Sequence, residues 1–228
     1  MAVIDMIDWA GLQCFIPTIV QDVDTSEVLA VTQTSLSRLE DLINGLKVSQ
    51  GNSSPANVAH PVVHELFVDC DLDCLLVKAR ATDAQRAESR TFFTPLAQEV
   101  PQDLFTRSRL VLAVTRCVEK KNVLMAAFMH QEALELTLST GLVHYFSRKR
   151  QKLWKKGEES GHLQHLVAGS YDLKAHALVL DIRQEGAACH EGYRSCFYRR
   201  VNADGTLGID GQYVLGHRTM GIRVGRII

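Results

Sequence analysis

FIPTIVQDVDTSEVLAV, residues 15–31, is an apolar run, a charged break and a second apolar run that begins Val-Leu. The same order recurs in LVLAVTRCVEKKNVLMA, residues 110–126, at an offset of 95. Strand-length apolar runs on either side of a polar break predict a β-hairpin in each place. An internal repeat changes how many domains and how many sites the chain is expected to hold.

The repeat extends outward. At the same offset Leu39 and Ile43 fall on Leu134 and Leu138, in segments with helical apolar spacing that end near a glycine C-cap, Gly45 or Gly141. Further on, VDCDLDCLLVKAR (68–80) matches YDLKAHALVLDIR (171–183), with Asp69 opposite Asp172 and Arg80 opposite Arg183. RTFF at 90–93 likewise matches SCFY at 195–198. Four matched blocks in one order predict an α+β fold of two tandem domains with antiparallel sheets, packed as a pseudo-dimer within one chain. The domains are expected at 8–98 and 104–200, joined by the linker PLAQEVPQD (95–103). The tail 201–228 reads as two strands linked by a glycine turn, with no function assigned.

Composition bounds the partners. The 228 residues are 46% hydrophobic and 22% charged, enough for one large or two small cores. A net charge of −1 gives no broad basic field, which disfavours nucleic acid or an acidic membrane surface. The N-terminus has no basic segment ahead of an apolar core, and no apolar run reaches membrane-spanning length, so a cytoplasmic protein is expected. In such a chain the six cysteines favour metal binding or burial over disulfides, and Cys14, Cys74 and Cys117 read as core.

The matched halves differ where chemistry is concentrated. Asp69, Cys70, Asp71 and Asp73 stand opposite Asp172, Leu173, Lys174 and His176. On a regular strand the three aspartates share one face and Cys70 points to the other. Oxygen ligands suit Mg²⁺ or Ca²⁺ and a thiolate suits Zn²⁺, so either two adjacent metal sites or a loop at the strand end is required. A solvated acidic strand face is the competing reading. In the second half, GAACHEGYRSCFYR (186–199) carries Cys189 and Cys196 with His190 between them. Two thiolates at that spacing can close on Zn²⁺ but need a third ligand, which Cys70 supplies if the halves pack together; a disulfide or two buried thiols is the alternative. His190 is a ligand, a proton shuttle or a supporting group. Between these motifs, HYFSRKRQKLWKKGEESGH (144–162) offers cations, backbone donors and the Trp154 ring, either for a phosphorylated nucleotide or simply as a solvated basic hairpin.

These motifs together resemble the phosphoribosyl-AMP cyclohydrolases of histidine biosynthesis. The resemblance lies in DW.GL...IVQD..T.EVL, in VDCDLD.LL, in EAL..TL.TG.VHYFSR.RQ.LWKKGE.SGH and in ACHEGYRSCFYR, up to about residue 200. It implies Zn²⁺ on Cys70, Cys189 and Cys196, and Mg²⁺ on Asp69, Asp71 and Asp73. It further implies a small-molecule nucleotide substrate bound through Ser147, Arg148, Arg150, Trp154, Lys155, Lys156, Gly157, Ser160, Gly161 and His162, with His190 moving protons. Family members are homodimers that share such sites between subunits. Here each half has lost what the other keeps, so a monomer acting as a pseudo-dimer, with one composite site, is expected. The implied reaction adds zinc-activated water at C6 of the purine and breaks the N1–C6 bond. The rival expectation is an idle zinc scaffold or regulatory protein of the same descent.

Overall fold

The computed structural model describes residues 1–50 and 61–214, excepting the side chains of 47–50. In chain order the elements are α1 (Val3–Met6), β1 (Phe15–Asp22), β2 (Val28–Ser35), α2 (Leu36–Gln50), β3 (Val62–Val68), β4 (Leu75–Arg80), α3 (Asp83–Arg90), β5 (Thr94–Pro95), β6 (Val111–Cys117), β7 (Val123–Met129), α4 (Gln131–Thr140), β8 (His144–Ser147), β9 (Lys152–Lys155), β10 (Gln164–Asp172), β11 (Ala177–Gln184), β12 (Arg199–Val201) and β13 (Leu207–Ile209). The fold is α+β.

Both expected hairpins form, β1 with β2 and β6 with β7. Each carries a register break, between Val20 and Gln21 in one and between Thr115 and Arg116 in the other, positions 95 apart. The sheets are mixed, which corrects the antiparallel expectation: β1 runs parallel to β4, and β6 to β11. A helix carries the chain away after the first hairpin, and the hairpin that follows returns its second strand alongside the first strand of the first. The resulting orders are β13-β12-β3-β4-β1-β2 and β5-β10-β11-β6-β7. Four central strands thus follow the same order in both sheets. A two-stranded ribbon of β8 and β9 stands apart.

The outer strands cross between sheets. β5 pairs Thr94 with Tyr171 at the edge of the second sheet, while β12 pairs Arg199 with Val68 in the first. The expected linker is part of this crossing. The Leu96 amide donates to Gly169 at 2.8 Å, and buried Leu104, with Leu96 and Val100, packs into the second sheet's core. At the other end Val201, Ala203 and Leu207 join Val3 and Ile7 of the N-terminal segment in the first sheet's core. Packing therefore runs past the expected limits at 8 and 200. Residues 215–228 of the tail, and 51–60 of the stretch VSQGNSSPANVAH, lie outside the described residues.

A third core lies between the two sheets, with Ile19, Phe67 and Leu76 from one, Val114 and Val179 from the other, and Phe197 from the segment that leads into β12. At roughly 1.5–3 kcal/mol for each buried side chain, these six contribute gross stabilisation on the order of 10 kcal/mol. Leu39, Ile43 and Leu134 are buried as expected. α4 ends at Gly141 with φ +70, whereas α2 continues through Gly45, which sits inside the helix and caps nothing. Cys74 and Cys117 are core residues. Cys14 is exposed, closing a turn at φ +65 with its amide on the Trp9 carbonyl, because the strand beside it begins only at Phe15.

Candidate metal centre

β3 stops at Val68 and β4 starts at Leu75, so the acidic stretch is a turn and not a continued strand. Asp69 causes this locally. Its Oδ1 accepts from the amides of Asp73 and Cys74 at 2.9 and 3.0 Å, and Leu72 is forced to φ +61. A leucine in the left-handed region costs on the order of 1–2 kcal/mol, and the turn carries that strain. The turn cancels the strand's alternation. Donor atoms of Asp69, Cys70 and Asp71 lie within 4.8 Å of one another, which one regular strand could not achieve.

The opposing thiols come from the irregular segment after β11. Arg194 donates to the carbonyls of Gln184 and Gly186 at 3.2 and 3.0 Å, fixing the loop's start. The Cys196 amide donates to Leu124 at 2.7 Å, and the Ser195 hydroxyl donates to Val123 and Leu124, fixing its end. Between these anchors the Cys189 amide bonds the Tyr193 carbonyl at 3.1 Å. Cys189, Cys196 and Cys70 are all buried, and their thiols interact with one another. The donor atoms of Cys70, Cys189 and His190 fall within 4.8 Å. His190 is exposed, with Nδ1 3.8 Å from Cys70 Sγ.

The groups of this cluster bear on one another's ionisation. Hydrogen bonds from Cys196 and Cys70 converge on Cys189 and pull its thiol down to about 2; the same contacts push Cys70 and Cys196 up. Burial, and then the Asp73 carboxylate, raises Asp69 to about 8. All six cysteines are free thiols. Three converging thiols beside a histidine suit a soft, tetrahedral cation, and the adjoining carboxylates suit a harder one.

The basic segment borders the centre along part of its length. β8 and β9 pair as an antiparallel hairpin. Exposed Arg148 donates to Asp73 at 3.0 Å and lies 4.1 Å over the Phe128 ring, so a cation at the tip of the separate ribbon meets a carboxylate of the first sheet's turn. Lys156 is buried, its ammonium 3.3 Å from the His162 carbonyl and 3.5 Å from that of Ala187, two residues before Cys189. Burial lowers its pKa, while Cys196 and Cys189 act in the opposite direction. Gly157 has φ +81, and a Cβ there would stand 2.5 Å from the His162 backbone. The His162 ring lies against Gly186, closing the Ser160-Gly161-His162 turn onto the cysteine loop. Trp154 stacks obliquely on buried Tyr145 at 5.0 Å and packs on the second core. Ser147 accepts the Arg150 amide at 3.1 Å within the ribbon's own turn; Arg150 is exposed and Lys155 half-buried, and neither is brought to the thiols by a described contact.

Sequence reading passed over Glu191, Tyr198 and Arg199. The Tyr198 hydroxyl donates to Glu191, and Arg199 reaches the carbonyls of Asp69 and Cys70. The available signal was polar residues interleaved with thiols and aromatics over a few positions.

A model of the phosphoribosyl-AMP cyclohydrolase family matches residues 125–198. Curated proteins named phosphoribosyl-AMP cyclohydrolase are similar to this chain. The one from Methanocaldococcus jannaschii is 54% identical over 105 residues, covering 46% of this chain and 81% of that protein. The one from Methanococcoides burtonii is 52% identical, over 44% of this chain and 83% of that protein. The one from Archaeoglobus fulgidus is 49% identical, over 44% and 93%. With four-fifths or more of each relative covered at about half identity, the chain belongs to the phosphoribosyl-AMP cyclohydrolase family.

Proposed function

We propose that this chain hydrolyses the adenine ring of phosphoribosyl-AMP in histidine biosynthesis at one zinc-dependent composite site. One observation carries the reading: Cys70, from the turn between β3 and β4, meets Cys189 and His190, from the loop after β11, although more than a hundred residues separate them. Cys70, Cys189 and Cys196 would hold zinc, and Asp69, Asp71 and Asp73 would hold magnesium. Zinc supplies a Lewis acid that lets water act as a nucleophile near neutral pH.

The remaining work falls to side chains. His190, exposed beside Cys70, is placed to take the proton released as water adds to C6 and to return one to N1 as the N1–C6 bond breaks. Arg148, Arg150 and Lys155 offer charge to the phosphate, and Arg148 must exchange Asp73 for it. Lys156, with His162 and the two tight glycine turns, supports the cysteine loop and steadies the wall against which the ring is held.

The proposal includes the chain's organisation as two cyclohydrolase-like halves, about 8–98 and 104–200, that act as a covalent pseudo-dimer in the cytoplasm. Its support is the common order of four strands, register breaks 95 residues apart and the reciprocal exchange of β5 and β12. A symmetric pair of this kind would carry two equivalent sites. Here the thiols meet at one.

The decisive experiment measures phosphoribosyl-AMP turnover and zinc on the same sample. One zinc per chain is expected, with turnover abolished by a strong chelator and restored by zinc. Stoichiometric zinc without turnover would favour the idle scaffold.

A further inference from the structure

β12 does more than extend the first sheet. Its first residue, Arg199, donates from Nη1 to the carbonyl of Cys70 at 2.5 Å and to that of Asp69 at 3.3 Å. Nη2 of the same guanidinium lies 3.6 Å from Glu191. Glu191 sits inside the cysteine loop, where its amide contacts Cys189 Sγ at 3.4 Å and its carboxylate accepts the Tyr198 hydroxyl. The guanidinium also stands 5.1 Å from the centre of the Tyr198 ring. One side chain therefore connects the backbone that carries the first thiol to the loop that carries the other two.

The geometry has a specific consequence. Carbonyls at a tight turn have no strand partner, and their orientation fixes the neighbouring Cα–Cβ directions. Holding two successive carbonyls on one guanidinium sets the peptide planes on either side of Cys70, and hence where its thiol points. An arginine fork can serve two carbonyls and a carboxylate together, whereas an ammonium acts as a compact point donor. Register keeps the device in place, because Arg199 pairs with Val68, next to the turn, and lies three residues beyond Cys196.

We propose that Arg199 is a positioning residue that sets Cys70 against the Cys189–Cys196 loop and so completes the zinc site across the two sheets. The assignment rests on the composite zinc reading and adds to it a residue that touches no metal. Groups that orient metal ligands typically contribute about 10–100-fold to metal affinity. Arg199→Ala should therefore weaken zinc binding by about 10–100-fold, measured in the full chain by competition with a chromophoric chelator.

Three readouts separate positioning from general damage. The melting temperature of the chelator-stripped Arg199→Ala protein should stay close to that of the stripped parent. Cobalt(II) substituted for zinc should show weaker thiolate-to-metal absorption in the variant, as Cys70 falls out of reach. Arg199→Lys, which keeps the charge and β12 but loses the fork, should recover only part of the affinity, and it carries the test if the alanine variant fails to fold. Parental zinc affinity and an unchanged cobalt spectrum in either folded variant would overturn the proposal. Cys70→Ser is the control: if it too leaves affinity and spectrum unchanged, the composite site itself is wrong, whereas loss in Cys70→Ser with none in the Arg199 variants condemns Arg199 alone.

Discussion

The turns from Asp69 to Cys74 and from Asp172 to Ala177 join equivalent strands, in sheets with the same central order, with the same number of residues between the same registered pairs. They differ in conformation. Asp69 reaches the far end of its turn, bonding the amides of Asp73 and Cys74, and the left-handed residue is Leu72. Asp172 bonds the nearer amides of Lys174 and Ala175, at 2.8 and 3.1 Å, and the left-handed residue is His176. The first closure gathers a thiol and two carboxylates; the second exposes Leu173 and Lys174. A shared hairpin length therefore does not fix which side chains come together. The aspartate's choice of amides decides which side chains converge.

The segments that follow the two hairpins in the chain also diverge. The second half of the chain sends the cysteine loop across. The first half places α3 after β4, closed by a capping box between Thr82 and Gln85 and tied down by Arg86, which bonds buried Asp22 at 2.8 Å and Asp24 at 2.8 Å. A helix held by an ion cluster thus follows the hairpin in the first half where the cysteine loop follows it in the second.

The largest effect should come from breaking the turn that carries Cys70. If the proposed zinc site is right, Cys70→Ser removes one of its three protein ligands and should lower zinc affinity and turnover by about 100-fold or more. Cys74→Ser, four residues on, buries a hydroxyl in the core and should cost about 1–3 kcal/mol of stability, with zinc retained. Metal analysis and thermal melting of the two variants distinguish them. Equal zinc loss in both would mean that the turn is a folding unit with no private ligand.

A second effect belongs to stability. Asp22 is buried, which opposes ionisation, but the Arg86 hydrogen bond and those from Thr25 and Ala81 hold it down to about 2. A carboxyl depressed in the folded state stabilises the protein above its ordinary pKa and stops doing so as the pH falls through its folded value. This contribution is therefore complete at neutral pH and fades between about pH 4 and 2. Arg86→Ala leaves the carboxylate without its main partner, so stability should drop at neutral pH and the acid transition should move to higher pH, followed by circular dichroism. Zinc content should not change. A parallel loss of zinc would show that α3 and the cysteine loop are coupled through the core between the sheets.

What the sequence disclosed of this contrast follows from the range of the forces involved. Hairpins, helices and buried positions such as Leu39 and Leu134 were legible because periodicity is a local signal. The cysteine pair was legible by spacing. That the acidic stretch leaves the strand was one of two arrangements the sequence allowed; the part Asp69 plays in closing the turn was not legible, because it depends on two amides four and five residues ahead, which alternation does not encode. Arg199 was missed because its partners lie about 130 residues away. The parallel pairing of β1 with β4, and the exchange of β5 and β12, are likewise decided by packing between distant segments.

The smallest effect should come from the other turn. Lys174 is exposed, and Lys174→Ala should leave turnover within about twofold of the parent, as is usual for surface changes away from a site. His176 is the sharper probe. Its backbone stands at φ +50, and neither ring nitrogen has a hydrogen-bond partner among the described residues although both are buried. An imidazole in that setting destabilises the fold twice, through a left-handed β-carbon and through unpaired polar atoms. Asparagine suits the left-handed region but brings its own amide donor and acceptor to the same place, so His176→Asn should keep turnover and leave the melting temperature close to the parent's. Alanine removes the unpaired nitrogens but keeps the backbone strain, so His176→Ala should likewise keep turnover. A folded, zinc-loaded His176 variant with a large loss of turnover would break the comparison, because the turn without thiols would then be contributing to catalysis.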